Sequence, residues 1–331
     1  MRFVKIISLF VCAVVLVTCA VSCNGTTHID PPVDSTVYYT VRFETLGGTE
    51  IGSVQVKAGS LLPEPAIPEK AGYIFDGWKN SEGRWLFSVK KVTADTTLTA
   101  IWLDVRSVFE YEINDAEEAT ITKYKGNIES LRVPETIGGF PVVAIGERAF
   151  YEANPDTTFS ITVGKSVRSI GKAAFYDCAG IAIKIEGKLE AIGEQAFFGC
   201  DGLESIKLSS GVTEIGYETF SGCTALRDVV LSDTVARIAE NAFELCSSLK
   251  TLTLYSSLEA VEDSAFESCD SLAAIYYHGS ADAWESIEIA QGNKGNSALT
   301  DAKLYLYSET EPEDSDAEYF YYDSNGKVRV W

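Results

Sequence analysis

Few side chains in this 331-residue chain have types and spacings that can do chemistry. Five cysteines recur in its middle, Cys178, Cys200, Cys223, Cys246 and Cys269, each three residues after a phenylalanine. Three more, Cys12, Cys19 and Cys23, belong to an apolar amino-terminal stretch. There are only two histidines, His28 and His278, and they have neither the spacing of zinc ligands nor a nucleophile motif beside them. Acid–base and nucleophilic catalysis need convergent groups. The chain holds no Gly-x-Ser-x-Gly elbow and no phosphate loop, and its acid-rich stretch from Ser308 to Glu318 lacks the spaced ligands of a calcium loop. These residues predict no enzyme, no cofactor and no metal. The ladder cysteines stand once per repeat beside Phe and Leu that must face inward, which predicts buried thiols. Export permits disulfides, but neighbouring equivalent positions seldom meet their restricted geometry.

The repeat holding those cysteines sets the architecture. Six blocks of the form Ile-Gly-x-x-Ala-Phe-x-x-Cys-x-x-Leu place Phe150, Phe175, Phe197, Phe220, Phe243 and Phe266 at spacings of 25, 22, 23, 23 and 23 residues. Five residues before each stands Ile145, Ile170, Ile192, Ile215, Ile238 or Val261. Such a period lies within the leucine-rich-repeat range of about 20 to 29 residues. Downstream triplets such as Leu203, Ile206, Leu208 and Leu226, Val229, Leu231 end in a strand-like alternation, whereas the long block gains its residues around Asn154 to Thr158. Strands stacked in register tolerate no slip, because one residue of shift turns the buried face outward. The connecting arcs absorb the changes. The expected fold is mainly β with short helical or irregular arcs.

Arg2 and Lys5 precede an apolar run from Ile6 to Val21, which predicts a secretion signal over residues 1–22. Ala20-Val21-Ser22-Cys23 resembles a bacterial lipobox; the resemblance implies acylation of Cys23 and an anchor in the membrane. Two or more acyl chains would hold it stably. Leu16-Val17-Thr18-Cys19 is a weaker alternative, since threonine suits the position before the cut poorly; an ordinary cleaved signal or an uncleaved anchor are further alternatives. Removing residues 1–22 takes away two basic residues and no acid, lowering the formal charge from -21 to -23. That surplus repels phosphate backbones and disfavours nucleic acid as a partner.

Residues 23–36, rich in Thr, Pro and Asp, read as a flexible tether. In residues 37–103 the alternation Val37, Tyr39, Val41, Phe43, the break at Gly47-Gly48 and the resumption at Val54 and Val56 predict a hairpin. Gly72-Tyr73-Ile74-Phe75-Asp76-Gly77-Trp78 and the closing Trp102 complete a pattern that resembles the internalin B repeat, or Listeria-Bacteroides repeat, of bacterial surface proteins. The resemblance implies a small β-grasp-like surface module. Trp78, Trp85, Phe75 and Trp102 would form its core, because aromatics bury the most area per residue. Residues 104–307 resemble BspA-type (Treponema pallidum type) leucine-rich repeats, including a Gly138-Gly139-x-Pro141-Val142 insertion in the first coil. This resemblance implies a curved solenoid on secreted or surface proteins, several of which look like adhesins. Val108 to Thr122 should cap it at one end; at the other, Ala281 to Ile287 suggests a short helix and Lys303–Tyr307 a strand. Residues 308–331 form an acidic linker and a hairpin turning at Asp323-Ser324-Asn325-Gly326.

Residues alternating with the buried Ile and Leu must point to the concave face. One column reads Thr162, Lys184, Lys207, Val230, Thr253, Tyr276; its flanks include Asp228 and Thr251 on one side and Tyr255 and His278 on the other. Tyr255 and Tyr276 stand in neighbouring coils, about 5 Å apart by strand spacing, where they can share an aromatic platform. Interfaces are enriched in Tyr and depleted of Lys and Glu, so this end is the candidate contact patch. The expected function is an adhesin-like, lipid-anchored protein on the bacterial cell surface that recognises an extracellular protein or glycan of host matrix or another bacterium. A structural spacer without a ligand is the alternative.

Overall fold

The computed structural model describes residues 36–128, 130–151, 153, 160–178, 180, 182–290, 295–312 and 317–331. The signal, Cys23, the tether to residue 35 and the insertion around Asn154 to Thr158 lie outside the described residues. The chain divides in sequence between Val37 and Tyr38, and the unit Tyr38–Trp331 contains every strand and helix described below.

The amino-terminal module is a five-stranded sheet. Tyr38–Glu44 pairs antiparallel with Val54–Lys57, as the hairpin reading expected, and parallel with Thr96–Asp104. The latter pairs antiparallel with Tyr73–Asn80, whose far edge carries Gly83–Arg84. Trp78 and Trp85 are buried with Val41, Val56, Leu62 and Leu98, while Phe75 and Trp102 pack half-buried against them. The Trp102 indole donates to the Thr45 carbonyl at 2.9 Å. A Cβ on Gly48 would stand 2.5 Å from that indole, which is why the first turn needs a glycine there.

The solenoid begins with a hairpin, Phe109–Ile113 against Ala119–Tyr124. Tyr124 substitutes for a block phenylalanine: its ring stacks on Phe150 at 5.0 Å, and its N–H donates to the Ala149 carbonyl. The Gly138-Gly139 insertion turns a small hairpin between Thr136–Ile137 and Phe140–Pro141, both glycines having positive φ (64° and 93°) as a tight hairpin requires.

Each coil then adds to two parallel ladders. The longer strands Ser130–Arg132, Ser160–Val163 and Ala182–Ile185 form one sheet. Ser205–Lys207, Asp228–Val230, Thr251–Tyr255, Ala274–His278 and Lys303–Tyr307 form a second, extended by Glu318–Tyr322 and Val328–Val330. Register is kept as the alternation requires, with Ile206, Val229, Leu252 and Ile275 in one buried row that half-buried Leu304 continues. The break between the sheets falls in the block one residue short of the period. Two-residue strands ending in the block Ile or Val, such as Glu214–Ile215, Arg237–Ile238 and Ala260–Val261, make the other ladder.

Between the ladders the block phenylalanines, all essentially unexposed, stack at 4.9 to 5.4 Å between ring centroids. Each backbone N–H of Phe150, Phe175, Phe220 and Phe243 donates to an alanine carbonyl of the following coil, at 2.7 to 2.8 Å. The ladder cysteines are free and buried, as the repeat predicts. Each thiol donates to the phenylalanine carbonyl one coil back, from Cys178 onto Phe150 at 2.8 Å to Cys269 onto Phe243 at 3.1 Å. Two residues before each phenylalanine the backbone is left-handed, at Arg148, Ala173, Gln195, Glu218, Asn241 and Ser264. The sequence gives no hint of this row, since most of these residues disfavour that conformation.

The block glycine has a steric cause in the first three blocks that is relieved from the fourth onward. A Cβ on Gly193 would meet the Lys172 nitrogen at 2.4 Å, whereas one on Gly216 has 3.6 Å of room, so Ala239 and Glu262 fit in the later coils. At the carboxyl end Ser280 caps the helix Ala281–Glu285, and fully buried Asn296 closes the open coil. Its side-chain oxygen accepts from the Phe266 N–H at 3.0 Å, replacing the alanine carbonyl that the next coil would supply. Its Nδ2 donates to the carbonyls of Glu262 and Ala290, each at 2.9 Å.

Candidate functional site

The strand face carries the residues singled out from the alternation, and its two ends differ. Lys184 and Lys207 are exposed on separate sheets, and Lys184 pairs with Glu186 at 2.8 Å. Asp228 accepts from the Thr251 hydroxyl at 2.7 Å, and Thr253 is buried with Tyr276 of the next coil opposite it.

The aromatic end is larger than the sequence reading expected. Tyr255 stands opposite His278 in the register, and Tyr276 stands opposite Thr253, so the two tyrosines lie on a diagonal and their platform runs through the histidine. Tyr255 stacks on His278 at 4.4 Å, and His278 stacks in turn on Tyr307 at 4.7 Å. Beside this row Tyr276 stacks on Tyr305 at 5.5 Å. Phe320, from the carboxyl-terminal hairpin, is fully buried with its ring 5.1 Å from Tyr276, 5.2 Å from His278 and 5.4 Å from Tyr307. Tyr322 lies over His278 at 5.8 Å, its hydroxyl 3.2 Å from the imidazole Nε2.

Burial pushes the His278 pKa below its usual value, so the ring is neutral at neutral pH, and pushes the hydroxyls of Tyr255, Tyr276 and Tyr322 upward. A neutral aromatic surface edged with hydroxyls results, suited to contact chemistry.

Tyr305, Tyr307, Phe320 and Tyr322 were missed from the sequence. The first two had a signal: Lys303–Tyr307 alternates like the coil strands and continues their outward columns. The hairpin had none, because its pairing crosses the acidic linker. It adds parallel to Lys303–Tyr307, Tyr307 opposite Phe320, and folds back antiparallel onto Val328–Val330 around Asp323, which accepts from the Asn325 and Lys327 N–H groups.

Among the described residues no three His, Cys, Asp or Glu side chains form a metal-binding group, and no helix is long and apolar enough to cross a membrane. Buried thiols are poor nucleophiles as well as poor ligands: desolvation raises Cys178 to about 12.

Residues 122–229 and 168–286 match the BspA type leucine rich repeat region, in six copies, and residues 39–101 match the Listeria-Bacteroides repeat domain. This chain is built on BspA-type leucine-rich repeats. A provisionally named Gly-rich membrane protein of Evansella cellulosilytica is 37% identical over 106 residues, covering 30% of this chain and 12% of that protein. A second, provisionally named membrane protein of the same organism is 42% identical over 67 residues, covering 19% and 10%. The chain thus spans about a tenth of the length of these relatives. Among solved structures, a leucine rich cell surface protein of Faecalibacterium prausnitzii is 24% identical with a TM-score of 0.42, over 67% of this chain and 59% of that one. The T. pallidum leucine rich repeat protein is 26% identical with a TM-score of 0.34, over 51% and 68%.

Proposed function

We propose that this BspA-type protein is an adhesin-like binding protein held on the bacterial cell surface by acylated Cys23, recognising an extracellular protein or glycan through the strand face of its solenoid. The observation that carries this reading is the gathering of Tyr255, Tyr276, His278, Tyr305 and Tyr307 on the outward columns of adjacent strands, where folding alone asks only for small or polar residues. Clustered, partly buried aromatics are the residues that dominate interface energies. Lys184 and Lys207, at the other end, act mainly on association rate and salt dependence. The Evansella relatives named as membrane proteins and the Faecalibacterium protein named as a cell surface protein agree with the location.

A screen of residues 24–331 against host matrix proteins and bacterial surface glycans tests the reading. Tyr255→Ser with Tyr276→Ser should weaken whatever binds by about 2 kcal/mol or more, and unchanged affinity would move the site to the amino-terminal module. For the anchor, Cys23→Ser should release the protein from the membrane fraction. The second reading, a spacer without a ligand, is favoured by Phe320, which already covers part of the aromatic end; a screen with no hit on either the wild-type or a Phe320→Ala chain would support it.

A further inference from the structure

The aromatic end of the strand face already holds an occupant, and that occupant shows what the site takes. Glu318–Tyr322 runs parallel to Lys303–Tyr307 in the register Tyr305 to Glu318, Leu306 to Tyr319 and Tyr307 to Phe320. It therefore extends the sheet as an added strand, with main-chain pairing such as Ser308 N–H onto the Phe320 carbonyl at 3.0 Å. Phe320 and Tyr322, two residues apart, both reach the coil aromatics: the first wedges edge-on among Tyr276, His278 and Tyr307, the second covers His278. An extended segment is the ligand of a strand-addition site, the backbone giving affinity and pockets for alternate side chains giving specificity, and here the alternate side chains are aromatic.

The solenoid does not need this strand to close. Asn296 completes the last block, and Leu306 of the preceding strand joins the continuous core, whereas Ala317 and Tyr319 of the added segment only pack half-buried against that core and Phe320, although fully buried, is not part of it. Besides that main-chain pairing and the Trp331 indole donating to the Ser308 carbonyl at 3.3 Å, one ion pair among the described residues links the added strand to the coil before it, Lys303 with Glu318 at 2.6 Å between exposed side chains, and exposed pairs of this kind contribute little.

We infer that the edge of Lys303–Tyr307, with the box formed by Tyr276, His278 and Tyr307, is a strand-acceptor site for an extended partner peptide of the form aromatic-x-aromatic, and that the carboxyl-terminal hairpin occupies it in cis. The inference rests on the strand-face reading above and names the chemistry of the partner there. The hairpin sets a competition: a partner must displace Phe320, so its apparent affinity is lowered by the fraction of sites the hairpin holds.

The experiment is fluorescence anisotropy with a labelled synthetic peptide of residues 317–331, titrated with the full-length wild-type chain and with full-length Phe320→Ala. The peptide should bind the Phe320→Ala chain at least ten-fold more tightly than the wild-type chain. A peptide itself carrying Phe320→Ala should lose at least ten-fold on that same variant. Binding of the wild-type peptide no better than a scrambled peptide would overturn the inference. If Phe320→Ala does not fold, Phe320→Leu serves instead, because it fills the buried position while removing the ring that packs on Tyr276, His278 and Tyr307; equal peptide affinity for that variant and the wild type would likewise overturn it. Concentration-dependent wild-type dimers that Phe320→Ala abolishes would make a second copy the trans occupant and overturn the partner named here. A partner from the screen that binds the strand face although the peptide fails would leave the binding function standing and remove only this inference.

Discussion

Asn296→Ala should destabilise the carboxyl end of the solenoid far more than its single side chain suggests. The wild-type amide satisfies three backbone groups: the buried Phe266 N–H at 3.0 Å and the part-buried Glu262 and Ala290 carbonyls at 2.9 Å each. Alanine leaves all three without partners in a site where residue 296 is fully buried. An unsatisfied buried group costs about 1–3 kcal/mol, the carbonyls toward the lower end, so the loss is on the order of 3–5 kcal/mol. Exposed Ser297→Ala, one residue along, should stay within about 0.5 kcal/mol. Because each coil contacts only its neighbours, the loss should be local. Chemical denaturation followed by native-state amide exchange is the assay: exchange at Phe266 should accelerate strongly while exchange at Phe175 changes little. Asn296→Asp should behave similarly at neutral pH, since a carboxylate would face two carbonyls. Its folded pKa would lie above the unfolded carboxyl value, so stability would recover as pH falls through the folded pKa. A loss below about 1 kcal/mol, or equal acceleration at Phe266 and Phe175, would refute the idea that Asn296 replaces a missing coil.

Three further outcomes follow from the repeat. Phe220→Ala, with stacked rings at 5.3 and 5.2 Å on either side, should cost about 3–5 kcal/mol in denaturant unfolding, and Phe150→Ala, between Tyr124 at 5.0 Å and Phe175 at 4.9 Å, should cost about as much; a loss at Phe150 several-fold smaller would contradict the stacked order. Leu245→Gly should raise the melting temperature, since Leu245 has φ 60° and is 49% exposed where earlier coils carry Gly199 and Gly222; relief of about 1–2 kcal/mol of left-handed strain outweighs the extra unfolded-chain entropy of about 0.4–1 kcal/mol. The thiols of Cys178, Cys200, Cys223 and Cys246 are raised by desolvation, so they favour the folded state fully below the unfolded value and lose that contribution as pH climbs toward the folded one. Stability should therefore fall above about pH 9, by roughly 1.4 kcal/mol per thiol for each pH unit, with no reaction of these thiols toward a thiol reagent until the chain unfolds.

The buried columns were legible in the sequence because a period exposes them: Phe, Cys and block Ile each recur at fixed offsets, and the register of the long strands follows from alternation. Trp78 and Trp85 were legible as a core through their bulk. What escaped lies where the period stops. Asn296 is a single residue in a non-repeating cap, and its partners, Phe266 and Glu262, are 30 and 34 residues away in sequence. Phe320 and Tyr322 alternate plainly, yet nothing local says that their strand adds parallel to Lys303–Tyr307 across an acidic linker. The left-handed row was hidden for the opposite reason: Arg148, Ala173, Gln195 and Glu218 are held there by the hydrogen bonds between coils, against their own preference.

Amide exchange on residues 24–331, with and without the partner that the screen returns, tests the binding face most directly. Protection should concentrate in Thr251–Tyr255, Ala274–His278 and Lys303–Tyr307. Protection confined to the amino-terminal module, Tyr38–Asp104, would contradict the account and make the solenoid the spacer.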